Sequence, residues 1–212
     1  MQHSMFSLQK LLGQEEKIFK LLEASAEEAR NSVQALVKIS KSLNDTLVLD
    51  EFARLRQLDK KITQEITSAA YTVFVTSLDR EDIDALSSAL YKVPKMVDKF
   101  TERLLLSPTG VRAVNFSPQI ELLEEATDVV VEMVRTLRKE NLRQINHLDD
   151  QLQSVEVQAD EQMLELHREL FNRPRDILEI IALKDLYEQL EKVIDRCRDA
   201  GSMIARVALK TF

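Results

Sequence analysis

DILEIIALKDLYEQLEKVIDRCRDAGSMIARVAL, residues 176–209, is the stretch that decides the fold. Ile180, Leu183, Tyr187, Leu190, Ile194, Cys197, Gly201 and Ile204 follow one another at alternating intervals of three and four. That spacing lays apolar side chains along one stripe of an α-helix, in the manner of a heptad seam. The stretch predicts one helix of about nine turns, on the order of 50 Å long. It opens after Pro174, with Asp176 placed as its cap. A second seam precedes it: Ile145, Leu148, Leu152, Val155, Ala159, Gln162 and Leu166 keep the same alternation in a helix from about 142 to Phe171. The Asn-Arg-Pro-Arg segment ends that helix.

Working outward, Ser117-Pro118 reads as an N-cap and first helical residue, opening a helix through LLEEATDVVVEMVRTLRKE whose Val-rich centre suits a buried face. The first half has the same plan: a helix from about 15 to 43 broken at SLNDT, a second from about 47 to 76, and a third from Ser77-Leu78-Asp79 with Glu81 and Asp82 in its first turn. Pro94 is expected to bend or break the third helix. Residues 106–116, LSPTGVRAVNF, form the connection between halves. Leu21-Leu22-Glu23 aligns with Leu122-Leu123-Glu124 at an offset of 101, and Leu86 and Leu90 with Leu186 and Leu190 at 100. The expectation is an all-α chain of six long helices: a first three-helix repeat at 1–105, the connection at 106–116, and a second repeat at 117–212. The two repeats would form an elongated antiparallel bundle.

Composition agrees. Glycine and proline together supply seven of 212 residues, about 3%, against roughly 12% in average proteins, too few turn-formers for a β-sandwich or barrel. No stretch approaches the ~20 apolar residues of a membrane span. A net charge of −7 argues against nucleic acid as a partner. The single Cys197 and the start MQHSMFSLQK, without a secretory apolar core, lead to the expectation of a cytoplasmic protein.

Catalytic signatures are sparse. His3, His147 and His167 are the only histidines, and none follows a glutamate by three, so the Glu-x-x-His element of di-iron bundles is missing. HExxH, GxSxG and phosphate-cradling glycine loops are absent. His147 and His167 read as surface residues, and Cys197 as a small buried hydrophobe. What remains is carboxylates. Glu156 and Asp160 stand four apart on the fifth helix, as do Glu191 and Asp195 on the sixth, and each follows a seam residue by one. Glu188 shares the stripe, with Asp185 close by. Antiparallel packing of these two helices would turn the acids into one groove, where oxygen-rich, histidine-free ligation suits hard cations such as Mg²⁺, Mn²⁺, Ca²⁺ or oxidised iron. With 36 acids in the chain, a solvated charged flank is the competing reading of the same spacing.

At these residues the chain resembles the PhoU-like superfamily, in particular its branch of phosphate-transport regulators, or Pit accessory proteins. The resemblance lies in LYEQLEKVIDRCRDAGSMIARVALK at 186–210, VEVQADE at 155–161 and FVTSLDREDIDAL at 74–86, and extends over nearly the whole chain. It implies the two-repeat, six-helix architecture and a metal cluster held by E/D-xxx-D motifs, which fall here on Glu156/Asp160 and Glu191/Asp195. The equivalent first-half positions are Arg56/Lys60 and Tyr91/Lys95, without a carboxylate, although Asp59 and Asp98 lie nearby. Cations cannot ligate a metal, so a cluster of iron, manganese, magnesium or calcium class is expected in the second repeat only. The function implied is a non-enzymatic cytoplasmic regulator of inorganic phosphate transport, peripheral to the inner membrane face, docking on a transporter or its signalling partner. A helical scaffold or homo-oligomer built on the long seams is the alternative. A carboxylate-metal phosphoesterase, for which Arg196 and Arg198 leave room, is the third.

Overall fold

Why the chain forms helices is clear from its stripes; how they assemble is seen in the computed structural model, which describes residues 2–41, 45–72, 77–172 and 174–212. The elements are α1 (Gln2–Lys41), α2 (Asp45–Thr72), α3 (Arg80–Leu106), the short α4 (Thr109–Arg112), α5 (Ser117–Arg138), α6 (Leu142–Asn172) and α7 (Ile177–Thr211). There is no strand among the described residues. Helix α1 begins well before the expected residue 15, and the connection carries its own four-residue helix. The expected break at SLNDT lies partly, and the second helix's expected end at residue 76 wholly, outside the described residues.

Two three-helix sets pack alike. Helix α2 lies on α1 and α3, and α6 on α5 and α7, while the sets meet through α1 against α5 and α3 against α7. Four helices therefore form the centre, with α2 and α6 on the flanks, out of contact with each other among the described residues. Ion pairs fix the directions. Arg138 meets Glu16 and Glu23 and Arg30 meets Asp128, so α1 and α5 are antiparallel. Lys210 reaches Asp79 and Asp82 while Arg103 holds Asp185, so α3 and α7 are antiparallel as well.

Burial follows each helix's place. On α7, Leu183, Tyr187, Leu190, Ile194, Cys197, Gly201 and Ile204 are buried as the seam predicts, with Ile180 half-buried at its start. Leu186, Val193, Ala200 and Val207 are buried too, because a central helix facing α3, α5 and α6 needs a wider apolar face than a two-stranded seam. The flanking α6 keeps a narrow stripe of Ile145, Leu148, Leu152, Val155 and Ala159. Past Ala159 the stripe passes to Met163 and Leu170 rather than to the expected Gln162 and Leu166, which are half-buried. A helix of 3.6 residues per turn drifts away from a strict 3.5 repeat, by about 20° per heptad.

Caps match in part. Asp176 Oδ1 accepts from the Leu178 N–H at 2.8 Å, as expected. At α5 the cap position is Phe116, one residue earlier than expected, and Asn115 Oδ1 accepts the Ser117 N–H at 3.0 Å. Pro94 does not break α3, which runs unbroken from Arg80 to Leu106 with Pro94 buried inside it. Packing on three sides holds the helix across the missing donor.

Candidate functional site

Helices α6 and α7 form an antiparallel hairpin, which brings the two acid pairs onto one flank. Burial raises the proton affinity of Glu156, Glu191 and Asp195, and the Asp160 charge raises each of them further. Asp195 acts in the same way on Glu156 and Glu191. The four residues therefore share a groove within reach of one another's fields, Asp160 at its exposed lip and the other three half-buried.

The groove is not purely anionic. Arg198 Nε lies 3.3 Å from Glu156 Oε2, and the same guanidinium also holds Asp149. Arg196 pairs with Asp199 at 2.5 Å. Both arginines that left room for a phosphoester-hydrolysing reading are thus engaged by carboxylates. Asp185 turns to α3, where it pairs with Arg103. Glu188 is held by Lys184, whose hydrogen bond keeps its carboxyl below the usual range. Four of the six candidate ligands remain together and two are occupied elsewhere.

Among the described residues no three His, Cys, Asp or Glu side chains converge closely enough to hold a metal. The donor chemistry in the groove still suits a hard cation, since it is all carboxylate and Glu156, Glu191 and Asp195 carry raised proton affinities that a cation would relieve. Closing a coordination shell would require Glu156 to exchange Arg198 for the metal.

His167 was read from sequence as a surface residue, yet it is half-buried. Its ring packs edge-on against Tyr187, with centroids 6.1 Å apart, and stacks on Phe171 at 6.5 Å. It borders the groove closely enough to act on Glu191 and Glu188. The signal was available: His167 stands seven residues, two turns, after Asp160. Cys197 is fully buried, which pushes its thiol up to about 12.

The first half carries the same geometry with the charges exchanged. At an offset of 100, Glu156 and Arg198 correspond to Arg56 and Asp98, and these also pair, at 3.0 Å. Glu191, Asp195 and Asp199 correspond to Tyr91, Lys95 and Lys99. The nearby acids do not restore a metal site: Asp98 is taken by Arg56, and Asp59 is buried beside Glu28.

This bundle, with its central four helices and flanking α2 and α6, is the PhoU-like fold. It matches the crystal structure of a PhoU-like protein from Shewanella oneidensis MR-1 with a TM-score of 0.76, over 91% of this chain and 99% of that one at 15% identity. A second PhoU-like structure from that organism matches with a TM-score of 0.68 over the same shares, also at 15% identity. The fold implied by the resemblance read from residues 74–86, 155–161 and 186–210 is therefore the one observed.

Within that class the chain is similar to a protein of Rhizobium meliloti (strain 1021) named "Putative pit accessory protein", 23% identical over 210 residues, 95% of this chain and 96% of that relative. It is also 21% identical over 137 residues, 65% of this chain and 67% of the relative, to UPF0111 protein YkaA of Bacillus subtilis (strain 168). No family model matches the chain.

Proposed function

We propose that this protein is an accessory regulator of inorganic phosphate transport, acting by docking on a transporter or its signalling partner at the cytoplasmic face of the membrane rather than by catalysis. The observation that carries the reading is similarity along 95% of the chain to a relative named as a Pit accessory protein. Two further features fit it. No helix among the described residues is long and apolar enough to cross a membrane, so contact with a transporter would be peripheral. The two arginines of the acidic groove are bound to carboxylates, so neither is free to receive a phosphate.

The acidic groove has a part in this reading. Glu156, Asp160, Glu191 and Asp195 would bind a hard divalent cation, Mn²⁺, Mg²⁺, Ca²⁺ or iron, in the second half alone. Such a charge-neutralising ion would lock α6 against α7. The domain reading goes with it: residues 1–105 and 117–212 act as two repeats whose equivalent positions 56, 60 and 95 against 156, 160 and 195 carry opposite charge.

The test is uptake of radiolabelled phosphate by cells of the source organism with and without the gene. Deletion is expected to change the initial rate at least twofold, with restoration by the intact gene. Unchanged uptake at both low and high external phosphate would overturn the reading.

A further inference from the structure

Between α2 and α3, at the place where the second half has its acidic groove, the structure has a pocket of about 210 Å³. Its polar lining includes Arg56, Tyr91, Lys95, Lys99 and Asp59. Four of these are the positional equivalents of Glu156, Glu191, Asp195 and Asp199, so three acidic positions of one half are cationic in the other, where Asp98 and Glu102 also line the pocket. Phe52, Leu55 and Pro94 supply an apolar wall. In the second half a pocket of about 10 Å³ lies beside Ala159, Glu191 and Ile194, the counterparts of Asp59, Tyr91 and Pro94.

The charges in the pocket are not all spent. Arg56 is engaged by Asp98 at 3.0 Å and by Glu102 at 3.6 Å. Lys95 and Lys99, exposed at the rim, have no ion-pair partner among the described residues. Below them lies Asp59, 97% buried, whose Oδ1 has no hydrogen-bond partner among the described residues. A buried carboxyl left unpaired is costly, and a ligand donor or acceptor supplied from the pocket would relieve that cost.

We propose that this pocket binds a small organic anion, its charged oxygens on Lys95 and Lys99, its compact body against Phe52, Leu55 and Pro94, and Asp59 in its protonated form donating a hydrogen bond. The site goes beyond the phosphate-transport reading, which rests on the whole-chain similarity and on the other half's acids. The apolar wall and the volume select an organic body over a bare tetrahedral ion. Asp59 makes the binding sensitive to pH. Burial and the neighbouring Glu28 on α1 push its carboxyl up to about 7. The other charged groups facing the pocket are Arg56 on α2 and Lys95, Asp98, Lys99 and Glu102 on α3. If only the protonated form binds, the apparent affinity scales with the protonated fraction, and raising the pH from 6 to 8 should weaken binding by about tenfold.

The experiment is calorimetric titration of the full chain with three probes: benzoate, glycerol 3-phosphate and inorganic phosphate. Saturable binding of benzoate or glycerol 3-phosphate, at least tenfold tighter than that of inorganic phosphate, is expected. Lys95→Gln with Lys99→Gln should weaken it at least tenfold, and Lys95→Arg with Lys99→Arg should restore it. Benzoate is ionised throughout the range from pH 6 to 8, so its affinity should show the tenfold decline, and Asp59→Asn should retain binding but abolish that decline. Binding of neither organic probe, equal binding of inorganic phosphate, or affinity unchanged in the double Gln variant would each overturn the proposal. A pH profile unaltered by Asp59→Asn would overturn the role of Asp59.

Discussion

Asp59 stands where the first half departs from its counterpart, since the equivalent residue, Ala159, is an apolar member of the α6 stripe. Its folded carboxyl is pushed up to about 7 from 3.8 by burial first and by Glu28 second. Below about pH 4 the group is protonated whether folded or unfolded and costs nothing. Between about pH 4 and pH 7 the unfolded chain releases the proton while the folded chain keeps it, so stability falls as pH rises across this window. The full difference is on the order of 4 kcal/mol as an upper bound. Asp59→Asn should therefore melt higher than the parent at pH 8 and converge on it below about pH 4; a difference that stayed constant from about pH 8 to about pH 4 would contradict the burial. Asp59 falls in register on the α2 stripe of Phe52, Leu55, Ile62, Ile66 and Ala69, but a stripe of apolar residues passes over a carboxylate, so its burial was not read from the sequence. Cys197 was legible, being a seam position, and its thiol, raised to about 12, should resist alkylation until the protein unfolds.

At the scale of the helix, the seam of α7 was readable because one period governs it, whereas the α6 stripe was readable only as far as Ala159. Beyond that point the drift between 3.6 and 3.5 residues per turn decides which side chain faces inward, and Met163 displaces Gln162. The four-residue α4 was not legible, being too short to show a period. Substitutions at two positions test the packing of α7. Leu190 is 1% exposed, and Leu190→Asp places an unpaired charge in the core at a cost of about 3–5 kcal/mol; a melting shift of less than a couple of degrees would refute the seam. Gly201 is buried where helices come close: a Cβ built there lies 2.4 Å from Leu152 Cδ2 and 3.3 Å from Met133 Sδ. Both neighbours are fully buried, so they can yield only by repacking within the core. In Gly201→Ala the gain in helix propensity, about 1 kcal/mol, offsets much of the clash. Gly201→Val should lose about 2–3 kcal/mol by overpacking, measured as a lower urea midpoint with unchanged slope.

At the scale of the whole molecule, the two halves share helix packing and exchange charge. The paired positions 56/98 and 156/198 are bridged in both, with the cation on α2 in one half and on α7 in the other. The acid pairs were legible in the sequence because they need only helical spacing; the hold of Arg198 on Glu156 was not, because it depends on the register of one helix against another. That hold sets the last expectation. A divalent cation in the acidic groove competes with Arg198 for Glu156 and is favoured by the mutual repulsion of Asp160, Asp195 and Glu191. In the first half the same positions carry Arg56, Lys60 and Lys95, which repel a cation. Mn²⁺ or Ca²⁺ at a hundredfold excess over its dissociation constant should stabilise the fold by about 2.7 kcal/mol, or roughly 5–10 °C for a chain of this size. Asp160→Asn with Asp195→Asn should abolish the metal dependence, and Asp59→Asn with Asp98→Asn should leave it intact. Arg198→Ala removes the competitor and should shift the dependence to lower metal concentration. If the melting temperature ignores both metals in the parent and in Arg198→Ala, the acids are a solvated flank whose charge is balanced by arginine, and the groove's function must be sought in docking alone.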